Sequence, residues 1–187
     1  MYFKKLVGKK CYLSPMDEND AEKFTEWLND LELMINLQIY NSVFNVENER
    51  RLLSDLSKEQ NYSIIDFEND ELIGTCGLLD IDHLNQTAET GIFIGNKNYL
   101  NKGFGSEALT LLLDYGFKAL NLNNIMLKVY SFNKRAIKSY EKVGFKIIGN
   151  RRNALRRGKE TYNVIFMDIV EKDFYDNNKI IMEINRK

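Results

Sequence analysis

Apolar residues in the second half of the chain recur with a helical period. Residues 91–95 have the apolar character of a short buried strand. The apolar positions that follow share one helical face, and they are Leu109, Leu112, Leu113, Gly116, Phe117 and Leu120. This pattern predicts a core-facing helix that begins near Ser106. A turn with two glycines, Gly103 and Gly105, separates the predicted strand from the helix.

A second helix is predicted after another apolar strand at residues 125–130. Asn133 stands at the position of its N-cap, and Gly144 stands where the helix should end. The positions on its apolar face are Ala136, Ile137, Tyr140 and Val143. Tyr140 is therefore predicted to point inward, and periodicity alone favours a core tyrosine whose hydroxyl has a hydrogen-bond partner.

The rest of the chain alternates between helical and strand patterns. We expect helices at residues 19–28 and 46–58, and strands at residues 10–14, 62–66, 72–79 and 87–94, with turns at residues 68–70 and near Asn85. This order suits a mixed α/β fold, in which helices flank a central sheet. Because the sequence has no repeat, linker or low-complexity segment, one domain over residues 1–187 is expected.

The glycine turn has the character of an anion site. Glycine has no Cβ, so Gly103 and Gly105 are expected to adopt unusual φ angles and to let a ligand approach the backbone. The free N–H groups of the following helix, with the positive end of its dipole, favour a pyrophosphate. The spacing does not fit G-x-G-x-x-G, because Ala108 replaces the third glycine, and the Gly-Lys-Ser/Thr end of a P-loop is absent.

Composition narrows the class of protein. The chain has a net charge of −1 and is 44% hydrophobic, which allows a full core and gives no general attraction to nucleic acid or to membrane phosphate. It has no signal peptide and no apolar run near ~20 residues, so a cytoplasmic location is expected. Cys11 and Cys76 are predicted to be buried free thiols. The single histidine, His83, is predicted to be an exposed loop residue, and no metal site is expected.

Two motifs resemble those of a known superfamily. Residues 100–105, Leu-Asn-Lys-Gly-Phe-Gly, are similar to the acyl-CoA signature Gln/Arg-x-x-Gly-x-Gly/Ala of the GNAT superfamily of N-acetyltransferases. Residues 133–145 resemble its Asn-x-x-Ala-x-x-x-Tyr-x-x-x-Gly-Phe segment. Leu100 departs from the pattern, which has Gln or Arg there, and weaker CoA binding is expected. Further likeness at residues 114–117, 120–122 and 152–159 indicates the RimJ/RimL-like branch.

The resemblance implies the GNAT form of a mixed sheet, in which two neighbouring strands splay apart and the pantetheine arm enters the gap. It implies acetyl-CoA (coenzyme A) as the cofactor. The main-chain donors that would take the pyrophosphate belong to Asn101, Lys102, Gly103, Phe104, Gly105 and Ser106. Phe93 and Ile94 would line the pantetheine path through their backbone, and Asn133 would hydrogen-bond to pantetheine or to an ordered water.

The resemblance also assigns catalytic roles. Tyr140 is similar to the family's general acid, which donates a proton to the leaving thiolate. Glu89 matches the position of an acidic residue common in the family and would deprotonate the attacking amine, while a strand glutamate without a catalytic role is an equal alternative. A non-catalytic CoA-binding module of the same fold is the alternative to an enzyme, and Leu100 is the feature that favours it.

The acceptor amine is left open by the sequence. A protein N-terminus, a polyamine or another small amine would each fit, because the shared motifs bind the cofactor. Trp27, Tyr40 and Phe44 are candidates for an apolar wall of the acceptor pocket, which family members build from regions that correspond to residues 31–44 and 151–162. A homodimer through the tail after Phe166 is a further hypothesis, and the near-neutral charge argues against a nucleic-acid partner.

Overall fold

A computed structural model describes residues 1–37 and 39–177 of the chain. These residues fall into two compact units, the first containing residues 1–79 and 91–112, and the second containing residues 80–90 and the chain from Leu113 onward. One domain over residues 1–187 stays a prediction. Residues 178–187, the end of the tail that we considered for a dimer contact, lie outside the described residues.

The first unit is built on strands that pair in the order of the sequence. They are β1 (Leu6–Val7), β2 (Cys11–Pro15), β3 (Asn61–Asp66) and β4 (Leu72–Asp82), and each pair is antiparallel. The register of β2 with β3 runs from Cys11 opposite Asp66 to Pro15 opposite Tyr62. Next in the sheet comes β5 (Thr87–Ile94), and both β4 and β5 continue into the second unit.

The helices of the first unit begin at polar caps. They are α1 (Ala21–Leu28), α2 (Leu31–Met34) and α3 (Val46–Leu56), and a 3₁₀ turn at Glu18–Asp20 precedes α1. Asp17, Asp30 and Asn45 each accept a hydrogen bond from a backbone N–H at the start of the element that follows. α2 was not predicted from the sequence, because four residues are too few to show a helical period.

The second unit contains the single parallel strand pair among the described registers. Thr87–Glu89 of β5 pair with Asn124–Met126 of β6 (Asn124–Tyr130), and this register ends there although β6 continues to Tyr130. β6 is antiparallel to β8 (Glu160–Val170), which pairs with β7 (Lys146–Arg157). The unit also contains α5 (Lys134–Val143) and α6 (Glu171–Asn177).

The mixed α/β fold with an open mixed sheet is confirmed, and the predicted strands lie within a few residues of the observed ones. The helix expected near Ser106 is α4 (Phe104–Ala119), which begins two residues earlier and continues from the first unit into the second. Cys11 and Cys76 are buried free thiols, and His83 is exposed in the turn after β4, as expected. None of the helices in the described part of the chain is long and apolar enough to cross a membrane.

Trp27 is the centre of an aromatic contact in the core of the first unit. Its ring lies edge-on to Phe24 at a centroid distance of 5.5 Å and to Phe93 at 6.3 Å. A Cβ added at Gly95 would overlap the indole carbons of Trp27, so a glycine is required where the chain leaves β5. Trp27 is 5% exposed. It is thus a core residue, and its place in the wall of an acceptor pocket stays a prediction.

Gly95→Ala should lower the free energy of unfolding by about 1–3 kcal/mol, because its methyl group would force Trp27 out of its packed position. Gly91→Ala, four residues earlier in β5, is the matched control, since no atom lies within 4 Å of its added Cβ. We expect that control to change the free energy by less than about 0.5 kcal/mol. Urea unfolding of both variants measures the difference, and an equal loss in the two would contradict the Trp27 contact.

Candidate functional site

The glycine turn bends the chain sharply into α4. Asn101 and Gly103 have positive φ angles of 61° and 88°, which place both residues in the left-handed region. Asparagine tolerates this region better than most side chains, and glycine enters it without steric cost. Gly105 lies inside α4 and is not among the residues with positive φ, so the expectation of an unusual φ at Gly105 is wrong.

The backbone donors at the start of α4 fit an anionic ligand. The N–H groups of Gly103, Phe104 and Gly105 donate to no acceptor among residues 1–37 and 39–177. Intrahelical bonding begins later, where Glu107 N donates to the carbonyl of Gly103 at 3.1 Å. Successive unpaired donors at the positive end of a helix are what a pyrophosphate requires.

A tyrosine and two carboxylates hold the N-terminal side of this turn. The Tyr99 hydroxyl lies 2.8 Å from Asp66 Oδ2 and 2.7 Å from Glu71 Oε2, and the Tyr99 ring packs edge-on against Phe104. Burial, followed by the hydrogen bonds to Glu71 and Asp66, raises the pKa of Tyr99, so its hydroxyl remains a proton donor. Sequence reasoning missed these three residues.

Two other predicted cofactor contacts lie in the same unit as the turn. An ideal Cβ on Gly105 would lie 3.7 Å from Ile94 Cγ1, which places the end of β5 beside the first turn of α4. Phe93 packs its ring against Trp27. Lys102 is exposed and its ammonium has no ion-pair or hydrogen-bond partner in the described segments, while its carbonyl accepts a hydrogen bond from Lys10.

Asn133 caps α5 and keeps part of its side chain available. Its Oδ1 accepts a hydrogen bond from Ala136 N at 3.1 Å, which confirms the predicted N-cap. Its Nδ2 group donates to no acceptor within the described part of the chain. Capping the helix and hydrogen-bonding a ligand are therefore compatible roles for Asn133.

The hydroxyl of Tyr140 has no hydrogen-bond partner among the residues that the structure describes. The ring is partly buried and lies edge-on to Phe145 at a centroid distance of 6.0 Å. Burial raises the pKa of Tyr140 to about 12, and the charge of Arg135 opposes that rise. Other tyrosines with a raised pKa donate to carboxylates, and these are Tyr2, Tyr12, Tyr99 and Tyr175. The hydroxyl of Tyr140 is therefore a proton donor that makes no hydrogen bond with the part of the chain that the structure describes.

Glu89 forms an ion pair on the surface of the second unit. Its Oε2 lies 2.6 Å from Lys128 Nζ, and the side chains of Glu89 and Lys128 are 19% and 36% exposed. Glu89 is thus largely covered and Lys128 is more open to solvent, and the ion pair occupies one oxygen of the carboxylate. The role of Glu89 as a base stays a prediction.

Among the described residues, the first unit has unpaired amides at a glycine turn, and the second unit has a tyrosine hydroxyl without a hydrogen-bond partner. Residues 10–146 match the family described as acetyltransferase (GNAT) domain, and the chain belongs to that family. It is thus an N-acetyltransferase of the GNAT family. This membership supports acetyl-CoA as the co-substrate, and it confirms the superfamily that the two motifs indicated.

Individual relatives agree with this membership. The chain is 33% identical to the uncharacterized N-acetyltransferase p20 of Bacillus licheniformis, over 90% of this chain and 97% of p20. It is 28% identical to the spermidine N(1)-acetyltransferase of Escherichia coli (strain K12), over 90% of this chain and 84% of that protein. The crystal structure of spermidine N-acetyltransferase from Vibrio cholerae in complex with CoA and spermine has the same fold, with a TM-score of 0.79, 23% identity and coverage of 89% of this chain and 99% of that one.

Gly103→Ala should lower the free energy of unfolding by about 1–2 kcal/mol, because its φ of 88° is costly for a residue with a Cβ. Gly105→Ala should leave stability unchanged or raise it by up to about 1 kcal/mol, since alanine favours the helix. The added Cβ at Gly105 would meet Ile92 Cδ1 at 3.6 Å, an ordinary contact. Urea midpoints of the two variants check this difference in sign, and equal destabilisation would contradict it.

Proposed function

We propose that this protein acetylates a primary amine by direct attack of the neutral amine on the thioester of acetyl-CoA. Bound acetyl-CoA supplies the activated acetyl group, and the residues of the chain bind it and manage protons. Family membership supports the class of reaction. The observation that carries the proposal is the Tyr140 hydroxyl, which is partly buried, unpaired among the described residues and protonated at neutral pH.

We derive the cofactor contacts from the N–H groups in each unit that have no acceptor among the described residues. In the first unit, the pyrophosphate would be bound by main-chain N–H groups of residues 101–106, with the unpaired amides of Gly103, Phe104 and Gly105 at its centre. The backbone of Phe93 and Ile94 would contact the pantetheine arm. In the second unit, Asn133 Nδ2 has no acceptor among the described residues and would donate to pantetheine or to an ordered water.

Tyr140 acts on the leaving sulfur. A thiol has an ordinary pKa of about 8.5. Complete proton transfer from a phenol with a pKa of about 12 to a thiolate is therefore uphill. The favourable contribution is a hydrogen bond to the negative charge that develops on the sulfur. When the proton passes to the sulfur, the proton that the attacking amine releases to Glu89 or to water restores the Tyr140 phenol. The raised pKa keeps this donor protonated over the whole working range of pH.

Glu89 is proposed as the group that receives the amine proton, directly or through water. Alkyl amines are mostly charged at pH 7, so some group must remove a proton before attack. Lys128 is paired with Oε2, so the carboxylate accepts that proton at Oε1 or after the ion pair opens. If Glu89→Gln leaves the acidic limb of the pH–rate profile unchanged, Glu89 is not the base.

Tyr140→Phe should lower kcat by about 10² to 10⁴, because the hydrogen bond to the leaving sulfur is lost. The KM for acetyl-CoA and the free energy of unfolding should change little, since the described residues make no hydrogen bond with this hydroxyl. The wild-type kcat should show no alkaline fall from tyrosine ionisation below about pH 10, because the pKa of Tyr140 is raised to about 12. Steady-state kinetics from pH 6 to 10 measure kcat and KM, and urea unfolding measures the free energy.

Tyr175→Phe is the control for the loss of a tyrosine hydroxyl. Tyr175 donates to Asp114 at 3.1 Å, so the control should lower stability by about 1 kcal/mol and leave kcat unchanged. An unaltered kcat in Tyr140→Phe would remove Tyr140 from the mechanism.

The acceptor that we propose first is a polyamine. A polyamine acceptor is supported by the likeness to a protein named spermidine N(1)-acetyltransferase, whose alignment covers 90% of this chain. The RimJ/RimL-like likeness of residues 114–117, 120–122 and 152–159 supports a protein N-terminus as the second choice. Thiol release from acetyl-CoA, with mass spectrometry of the product, compares spermidine with a peptide that has a free N-terminus and with the same peptide acetylated. If CoA binds and no amine is acetylated, the protein is the non-catalytic CoA-binding module of the alternative proposal.

A further inference from the structure

We propose that Lys10 is a phosphate-binding residue of the acetyl-CoA site, whose ammonium group adds a side-chain cation to the backbone donors of the glycine turn. The inference rests on the proposed function, because it requires a pyrophosphate at the start of α4. Neither of the two motifs contains Lys10, which immediately precedes β2 and is distant in sequence from the turn.

The ammonium of Lys10 lies on the glycine turn itself. Its Nζ donates a hydrogen bond to the carbonyl of Lys102 at 2.7 Å and lies 3.6 Å from the position of an ideal Cβ on Gly103. It also lies 5.8 Å from the centroid of the Phe104 ring. The positive charge therefore lies beside residues 103 and 104, on the carbonyl side of the Lys102–Gly103 peptide, and the Gly103 N–H, which is trans to that carbonyl, points away from it.

Glu107 fixes the backbone from which this lysine projects. Its Oε1 accepts hydrogen bonds from Lys10 N at 2.6 Å and from Cys11 N at 3.3 Å. The preceding turn is closed by Gly8 N, which donates to the carbonyl of Cys11, and a Cβ on Gly8 would overlap the Glu107 carboxylate. These contacts hold the first turn of α4 against the start of β2. They thereby fix the backbone of Lys10 at a position from which its side chain contacts the glycine turn.

The charge of Lys10 is not neutralised by the described residues. Its ammonium forms no ion pair with any carboxylate in residues 1–37 and 39–177, and its hydrogen-bond partner is a neutral carbonyl. An ammonium has three N–H donors, so two remain for another acceptor. A cation beside the positive end of a helix is unfavourable by itself and becomes favourable when an anion binds between them. The carboxylate of Glu107 accepts hydrogen bonds from the main-chain N–H groups of Lys10 and Cys11, and it forms no ion pair with the Lys10 ammonium.

A purely structural role for Lys10 is the competing explanation. In that case the hydrogen bond to Lys102 and the contact with Phe104 would account for its position, and the charge would not matter for the ligand. Lys10→Gln separates the two roles, because the glutamine amide keeps a donor for the Lys102 carbonyl and removes the charge. Lys10→Arg keeps the charge, and Lys9→Gln removes an adjacent exposed charge as the matched control.

Calorimetric titration of CoA into the full chain at low and high salt tests the proposal. Lys10→Gln should weaken CoA binding roughly 5- to 20-fold at low salt, because a charge-assisted contact to phosphate is lost. Its affinity should depend less steeply on salt than that of the wild type, since one cation fewer is screened. Lys9→Gln and Lys10→Arg should bind within about 3-fold of the wild type. Thermal unfolding of each variant confirms that it is folded.

Truncated ligands locate the contact. The effect of Lys10→Gln should persist with 3′-dephospho-CoA, which keeps the pyrophosphate, and should disappear with pantetheine, which lacks it. An effect that disappears with 3′-dephospho-CoA would overturn the assignment to the pyrophosphate. If wild-type protein binds no CoA, the proposed function fails. If it binds CoA and Lys10→Gln binds equally well with the same salt dependence, the proposal for Lys10 fails and the proposed function stands.

Discussion

The start of α4 must hold its backbone in place although several of its N–H groups make no hydrogen bond. The N–H groups of Gly103, Phe104 and Gly105 have no protein acceptor in the described segments. Contacts from other parts of the first unit therefore fix the position of this turn. Tyr99 supplies that support on one side through two carboxylates, and Glu107 supplies it on the other through the backbone of β2. Donors held in place before a ligand arrives lose little entropy when it binds.

The tyrosines in the described part of the chain differ in whether their hydroxyl groups have a hydrogen-bond partner. Tyr12, Tyr99 and Tyr175 have raised pKa values and donate to carboxylates, so their protons are already used in holding elements together. Tyr140 has a raised pKa for a different reason, burial without an acidic partner. Among the described residues this hydroxyl has no hydrogen-bond partner, which leaves it available for the catalytic role that we propose.

The parts of the site that sequence could predict are those with a local signal. The helical period of α4 and α5, the cap at Asn133 and the stop at Gly144 are all visible within a few residues. Contacts between distant positions leave no such signal, and Glu107 lies 97 residues from Lys10. A motif with two glycines also does not reveal which glycine needs a left-handed backbone, and only Gly103 of this pair has a positive φ.

Leu100 is the departure from the acyl-CoA signature, and the structure limits what that departure changes. Its backbone is extended, with φ −66° and ψ 145°, and its N–H bonds to the carbonyl of Lys97. Leucine can adopt this conformation as easily as the usual glutamine or arginine, so the path of the turn is kept and only a polar side chain is lost. A cation from the start of β2 would replace that side chain's electrostatic contribution. A signature that lacks its first polar residue is therefore compatible with a working CoA site.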